Sequence, residues 1–120
     1  MGWHGQDPTG ITSIKDFENE QFASTKLYPD VNENAMSTSF SHIFQGGYSS
    51  GYYSYKWAEV LDADAFEYFQ EQGIFDPEAA KRFQENILSK GGTEHPMVLY
   101  KRFRGSEPKP DALLKRAGLL

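Results

Sequence analysis

Between His42 and Asp64 the chain reads HIFQGGYSSGYYSYKWAEVLDAD, and this stretch gathers the side chains best suited to chemistry. His42 precedes a run of small residues that carries Tyr48, Tyr52, Tyr53 and Tyr55. So many imidazole and phenol tips need polar partners if they are buried. A cluster of this kind suits a polar target such as a peptide backbone. Tyr48 and Tyr52 stand four residues apart, and Tyr52 and Tyr55 three. On a helix those spacings bring side chains onto one face, where three phenols could form a ladder of donors. From the spacing alone, an aromatic stripe packed in a core is the plainer reading. Gly46, Gly47 and Gly51 are not followed by a lysine in the phosphate-loop pattern G-x-x-x-x-G-K-[ST]. They suit a hinge, a close backbone approach or an ordinary turn.

The other reactive side chains have plainer roles. Glu59, Asp62 and Asp64 cluster without a histidine beside them, so a solvated or salt-bridged helix face is expected rather than a metal or acid–base site. Lys101, Arg102 and Arg104 fall near a helix end, where cations favour the helix dipole. The histidines are His4, His42 and His95, at spacings no single helix could bring together. The chain has no cysteine, which excludes disulfides and thiolate chemistry and fits a reducing, cytoplasmic setting.

These side chains must be positioned by helices. Residues 1–10 hold Gly2, Gly5, Pro8 and Gly10 and read as loop. Ile14, Phe17 and Phe22 predict a helix from Thr12 to about Ala23. Lys26–Ser37, with Pro29 and several Asx residues, reads as an extended connection. A short helix is expected near Ser39–Phe44, broken by Gly46 and Gly47. A long helix should begin at Ser49 or Ser50 and run to Gln72, because Trp57, Val60, Leu61, Ala65, Phe66 and Phe69 recur at helical spacing. Gly73 suits its C-cap. Asp76-Pro77 is a strong helix start, and that helix should carry Ala80, Phe83 and Ile87 inward and stop at Gly91-Gly92. Thr93 is expected to cap the next helix, with Met97, Tyr100 and Phe103 on one side. Pro108 and Pro110 should bound a final helix ending near Gly118. No segment alternates with strand period, so the expected fold is all-α.

The 120 residues allow at most one domain. Hydrophobic content of 38% is modest, but aromatics at 15% supply large buried area per residue, so a core is expected. A net charge of −5 argues against binding nucleic acid through its phosphates. No apolar run approaches the roughly 18 residues that a membrane span needs, so no membrane partner is expected.

The run Gly46-Gly47-Tyr48-Ser49-Ser50-Gly51-Tyr52-Tyr53-Ser54-Tyr55-Lys56-Trp57 resembles the substrate-binding loop of the thimet-oligopeptidase family of zinc metallopeptidases. The likeness extends along the chain. Met1-Gly2-Trp3-His4 resembles a Trp-His motif of that family, and Asn34–His42 its approach to the loop. Ile87–Gly92 and Leu99–Gly105 are similar to its last helices, and Asp111–Leu114 and Gly118-Leu119 to its C-terminus. The family binds zinc through H-E-x-x-H on a helix, with the intervening Glu as base. That motif does not occur in this chain.

The resemblance therefore implies a single helical C-terminal fragment, residues 1–120, that forms one wall of a peptidase cleft and lacks the zinc-binding helices. The parent activity it implies is zinc-dependent hydrolysis of short peptides, with no metal ligand in this chain and no catalysis by the chain alone. It implies that Tyr55 donates to the oxyanion at the scissile carbonyl. A phenol holds its proton at neutral pH, as a donor to an oxyanion must. It further implies that His42, Tyr48 and Tyr52 contact the peptide substrate. Trp3-His4 is expected to serve packing. Phe40, Ile43, Phe44, Tyr48, Tyr52 and Tyr53 would have faced the missing part, so the chain should either self-associate through them, the favoured outcome, or leave the loop mobile. An alternative of another class is an autonomous helical module that uses the tyrosine loop to bind a peptide or protein.

Overall fold

The computed structural model describes residues 2–120, and Met1 of the Met1–His4 run lies outside the described residues. Among the described residues every regular element is helical, so the fold class is all-α as expected. The chain divides into two compact units, at residues 1–53 and 54–120.

The first unit is built of short helices held by side chains from elsewhere in the unit. α1 spans Gly2–Gly5, and a 3-10 turn covers Pro8–Gly10, where the glycines and proline suggest only loop. Asp7 starts that turn by accepting from the Thr9 amide at 2.9 Å. α2 spans Ile14–Phe22, and Ser13 caps it by accepting from the Asp16 amide at 3.2 Å. Phe17, on α2, is buried against Trp3, with ring centroids 4.4 Å apart. Phe44 closes on Trp3 from another side at 5.9 Å. α3 spans Met36–Ser39, and a 3-10 turn covers Ser41–Ile43. The expected single helix near Ser39–Phe44 is thus split at Phe40, whose φ of −93° and ψ of 72° fit no helix. A further 3-10 turn covers Gly46–Tyr48.

The second unit opens with α4, Ser54–Gln72. It begins later than the expected Ser49 or Ser50 because Ser50 adopts a φ of 56°, in the left-handed region. α4 ends as expected from the sequence: Gly73 takes a φ of 110° and donates its amide to the Phe69 carbonyl at 2.9 Å. α5 spans Pro77–Phe83, with Asp76 as N-cap accepting from the Ala79 amide at 2.7 Å. It does not run on to Gly91 as a single α-helix. Instead its backbone widens into a π turn at Gln84–Leu88. Ala79 is buried and Ala80 exposed, one residue out of phase with the expectation.

α6 spans Pro96–Arg104. Its cap is His95 rather than Thr93: the His95 Nδ1 accepts from the Met97 amide at 3.2 Å, and Pro96 occupies the first helical position. Gly105, at a φ of 89°, ends it. α7 spans Asp111–Arg116 and packs on α4. Tyr68, Ala79, Tyr100 and Phe103 form the centre, with Leu61, Ala65, Phe69, Phe83 and Ile87 packed around them. Trp57 and Phe66, although in phase with the apolar positions of α4, are 45% and 49% exposed.

Phe103 is the hub of this core. It is 0% exposed and meets Tyr68, Phe69, Phe83 and Tyr100 at ring separations of 5.1 to 5.9 Å. Phe103→Ala is predicted to cost the second unit about 3–5 kcal/mol in denaturant unfolding, because a ring-sized cavity would open among rigid aromatics. A loss below about 1 kcal/mol would show that the core closes over the gap.

Candidate functional site

The residues singled out at His42–Tyr55 fall into both units. In the first, Phe40 succeeds α3, and the 3-10 turn at Ser41–Ile43 carries His42. The second 3-10 turn ends at Tyr48, and Tyr52 lies in the turn after Ser50. His42 is brought within 5.6 Å of Tyr48 and 5.5 Å of Tyr52, ring to ring. Tyr48 and Tyr52 meet edge to face at 5.5 Å. Phe40 stands edge-on to Tyr52 at 4.7 Å and lies 5.8 Å from His42. The three expected substrate residues therefore form one ring cluster, in the tilted and edge arrangements that aromatic quadrupoles favour.

This arrangement is not the helical ladder that the spacing suggests. Of Tyr48, Tyr52 and Tyr55, only Tyr55 lies on an α-helix. The reason is local. Ser50, between Tyr48 and Tyr52, takes a left-handed φ of 56° that a right-handed helix cannot include. Tyr48 and Tyr52 come together through turns instead. Tyr55 occupies the first turn of α4, in the second unit, and is 51% exposed.

Tyr48 and Tyr52 also line a cavity of about 430 Å³ in the first unit, together with Trp3, His4, Glu18 and Phe40. Its wall is largely apolar, with polar groups set among the rings, as in small-ligand sites. To the packing expected of His4 the structure adds a bond: its Nε2 lies 2.6 Å from the Ile43 carbonyl. A carbonyl can only accept, so Nε2 must carry the proton. Phe44, Tyr48 and Tyr53 are exposed, whereas Phe40, Ile43 and Tyr52 are half-buried.

α2 carries two charged residues that the sequence alone does not single out. Glu18 on α2 is buried, and its carboxylate accepts from the Ser37 amide at 2.6 Å, the Met36 amide at 3.1 Å and the Ser37 hydroxyl. Burial alone would raise its pKa, but these bonds and nearby Lys15 outweigh it and hold the carboxyl below its ordinary value. Lys15, one turn earlier, donates to Asp30 at 2.5 Å, to the Val31 carbonyl at 3.0 Å and to the Asn34 carbonyl. Bonds from Lys15 and then Lys26 bring the Asp30 carboxyl down to about 2. In sequence, Lys15 and Glu18 resemble any charged face of a surface helix, so no local signal marks them.

In the second unit the carboxylate cluster divides. Glu59 pairs with Lys56 and Asp62 with Arg116, each at 2.8 Å, on the expected salt-bridged surface. Asp64 departs from that reading. It is 3% exposed and accepts from the Tyr100 hydroxyl at 2.6 Å. Arg104 Nε lies 3.4 Å from it, close enough for an ion pair but without hydrogen-bond geometry. Arg104 also forks onto Glu71 through two bonds of 2.9 and 3.0 Å. Burial first, and then the bond to Asp64 and its charge, push the Tyr100 phenol far above its usual range. Tyr100 is therefore a fixed donor. Lys101 pairs with Glu107 and Arg102 with Glu94, so these cations are engaged locally. A second, apolar cavity of about 360 Å³ lies within this unit beside Trp57, Leu61, Phe83 and Tyr100.

Among the described residues no three His, Cys, Asp or Glu side chains converge to hold a metal ion. The donor set of the described residues therefore does not fit a zinc centre. No described helix is long and apolar enough to cross a membrane.

The model of peptidase family M3 matches residues 3–119. The chain is 60% identical over 93 residues to oligopeptidase A of Escherichia coli, covering 78% of this chain and 14% of that protein. It is 37% identical over 121 aligned positions to dipeptidyl carboxypeptidase of Salmonella typhimurium, covering 99% of this chain and 18% of that protein. It is 31% identical over 116 residues to a thimet-like oligopeptidase of Dictyostelium discoideum, covering 97% and 17%. The chain thus spans 14% to 18% of the lengths of these curated relatives.

The Lys15–Asp30 clamp yields a pH prediction. Asp30 has a folded pKa of about 2 against an ordinary 3.8. A depressed carboxyl contributes stability that is fully present above its unfolded value and is lost as pH falls through the folded one. The clamp should therefore hold above about pH 4 and release toward about pH 2. The carboxyl carbon of Asp30, followed by NMR, should titrate with a midpoint near the lower value. A midpoint at the ordinary aspartate value would show that Lys15 does not grip it in solution.

Proposed function

This chain belongs to peptidase family M3, and from that premise we propose that it is the C-terminal, substrate-binding portion of a zinc metallopeptidase that hydrolyses short peptides. The supporting observation is the 60% identity over 93 residues to oligopeptidase A of Escherichia coli. In this reading the metal and the base that activates water belong to residues outside the chain, in a cytoplasmic enzyme. The chain supplies a wall of the cleft.

Each residue has a role in this proposal. His42, Tyr48 and Tyr52 contact the peptide. Their rings form one cluster, and Tyr48 and Tyr52 line the first unit's cavity. Tyr55 donates its phenolic proton to the oxygen of the scissile carbonyl as negative charge develops there. Its place on the first turn of α4, half-exposed, leaves the side chain accessible to a substrate. A donor that bonds the developing oxyanion more strongly than the ground-state carbonyl lowers the barrier without tightening substrate binding.

The test is Tyr55→Phe in the full-length enzyme. It is predicted to lower kcat by roughly 10²–10³, the usual cost of one oxyanion donor, with little change in KM. A variant with near-wild-type kcat would reduce Tyr55 to packing. The 120-residue chain alone is predicted not to cleave an internally quenched short peptide in the presence of zinc. Chelator-sensitive cleavage that scales with the amount of chain would contradict the division of labour proposed here.

A further inference from the structure

α3 is only four residues long, and Ala35 at its N-cap makes no side-chain capping bond. The first amides of a helix have no partner within it. Met36 and Ser37 find theirs on a different helix, in the buried carboxylate of Glu18. A turn earlier on α2, the Lys15 ammonium gathers the Val31 and Asn34 carbonyls and the Asp30 side chain. The anion takes amides and the cation takes carbonyls, so residues 30–37 are pinned along one side of α2.

The position of α3 governs the residues on its C-terminal side. The Phe40 amide donates to the Met36 carbonyl at 3.0 Å, which ties the end of the helix to its start. The Phe40 ring props Tyr52 and His42. His42 in turn touches Tyr48. We infer that Glu18, assisted by Lys15, is a positioning residue: by capping α3 from α2 it sets the placement of His42, Tyr48 and Tyr52. The functional consequence rests on the reading of those three as peptide contacts.

Glu18→Gln tests this. Both carboxylate oxygens accept from donors, and a carboxamide replaces one of them with an NH₂ that faces a donor. In the 120-residue chain, amide exchange at Met36 and Ser37 should accelerate, and the NMR cross-peaks between the His42, Tyr48 and Tyr52 rings should be lost. The Trp3–Phe17 contact, which does not run through α3, should persist as a control for folding. Ala35→Ser added to Glu18→Gln supplies a local cap and should restore the ring contacts. Ring contacts unchanged in Glu18→Gln would overturn the inference.

Should Glu18→Gln unfold the unit, Lys15→Met offers a second test. It should loosen the same rings, and rings unmoved by it would also overturn the inference. In the full-length peptidase, Glu18→Gln should raise KM roughly tenfold, the scale of one charge-assisted hydrogen bond, with kcat largely kept and with recovery on adding Ala35→Ser. Lost ring contacts with unchanged KM would uphold Glu18 as a positioning residue and count against His42, Tyr48 and Tyr52 as substrate contacts. A raised KM with intact ring contacts would overturn the inference.

Discussion

Short helices cannot satisfy their own ends, and this constraint shapes both units. A four-residue helix such as α3 leaves nearly all of its amides and carbonyls without internal partners. In isolation it would not form. Its existence depends on the buried Glu18 carboxylate, which accepts from the first two amides of the helix. The second unit meets the same constraint with nearer groups: Asp76 begins α5, His95 begins α6, and Gly105 ends it. The difference matters for the proposed peptide contacts. A cap supplied from the adjoining residue stabilises one helix, whereas a cap supplied from α2 also decides where α3 and the turns after it lie.

Buried charge appears once more, around Asp64. Removing a carboxylate from water costs several kcal/mol unless hydrogen bonds and an opposite charge offset it. Tyr100 donates to Asp64 and Arg104 approaches it, while Arg104 keeps a second, exposed anchor on Glu71. Arg104 also lies over the Tyr68 ring at 5.2 Å, so the polar network and the aromatic core share a boundary. The network joins α4 to α6 through specific atoms, where apolar packing alone would tolerate sliding. It thereby orients the helix that carries Tyr55.

The fold is legible in the sequence where the physics is local. Asp76-Pro77 and Gly73 act on their immediate neighbours, and both serve as expected. His95-Pro96 carries the same proline signal as Asp76-Pro77, yet threonine is the commoner cap and draws the expectation to Thr93. The tyrosine ladder fails because it requires helix through Ser50, and a serine in the left-handed region leaves no mark in composition. Asp64 looks like a surface residue in sequence because its partners, Tyr100 and Arg104, lie far along the chain. The Glu18 clamp likewise spans 19 residues to Ser37. His42, Tyr48 and Tyr52 do come together as a group, although through turns rather than along one helix face.

In the proposed function, this chain is one wall of a larger M3 peptidase cleft that holds a peptide, while residues outside it activate water. The chain spans 14% to 18% of the lengths of these relatives, and the proposal assigns the zinc ligands and the base to the remainder. The most direct measurement is the sequence of the complete reading frame in which these residues occur. The account predicts an H-E-x-x-H motif upstream in the same frame. A frame that starts at Met1 and encodes no such motif would contradict it and leave an independent helical binding module.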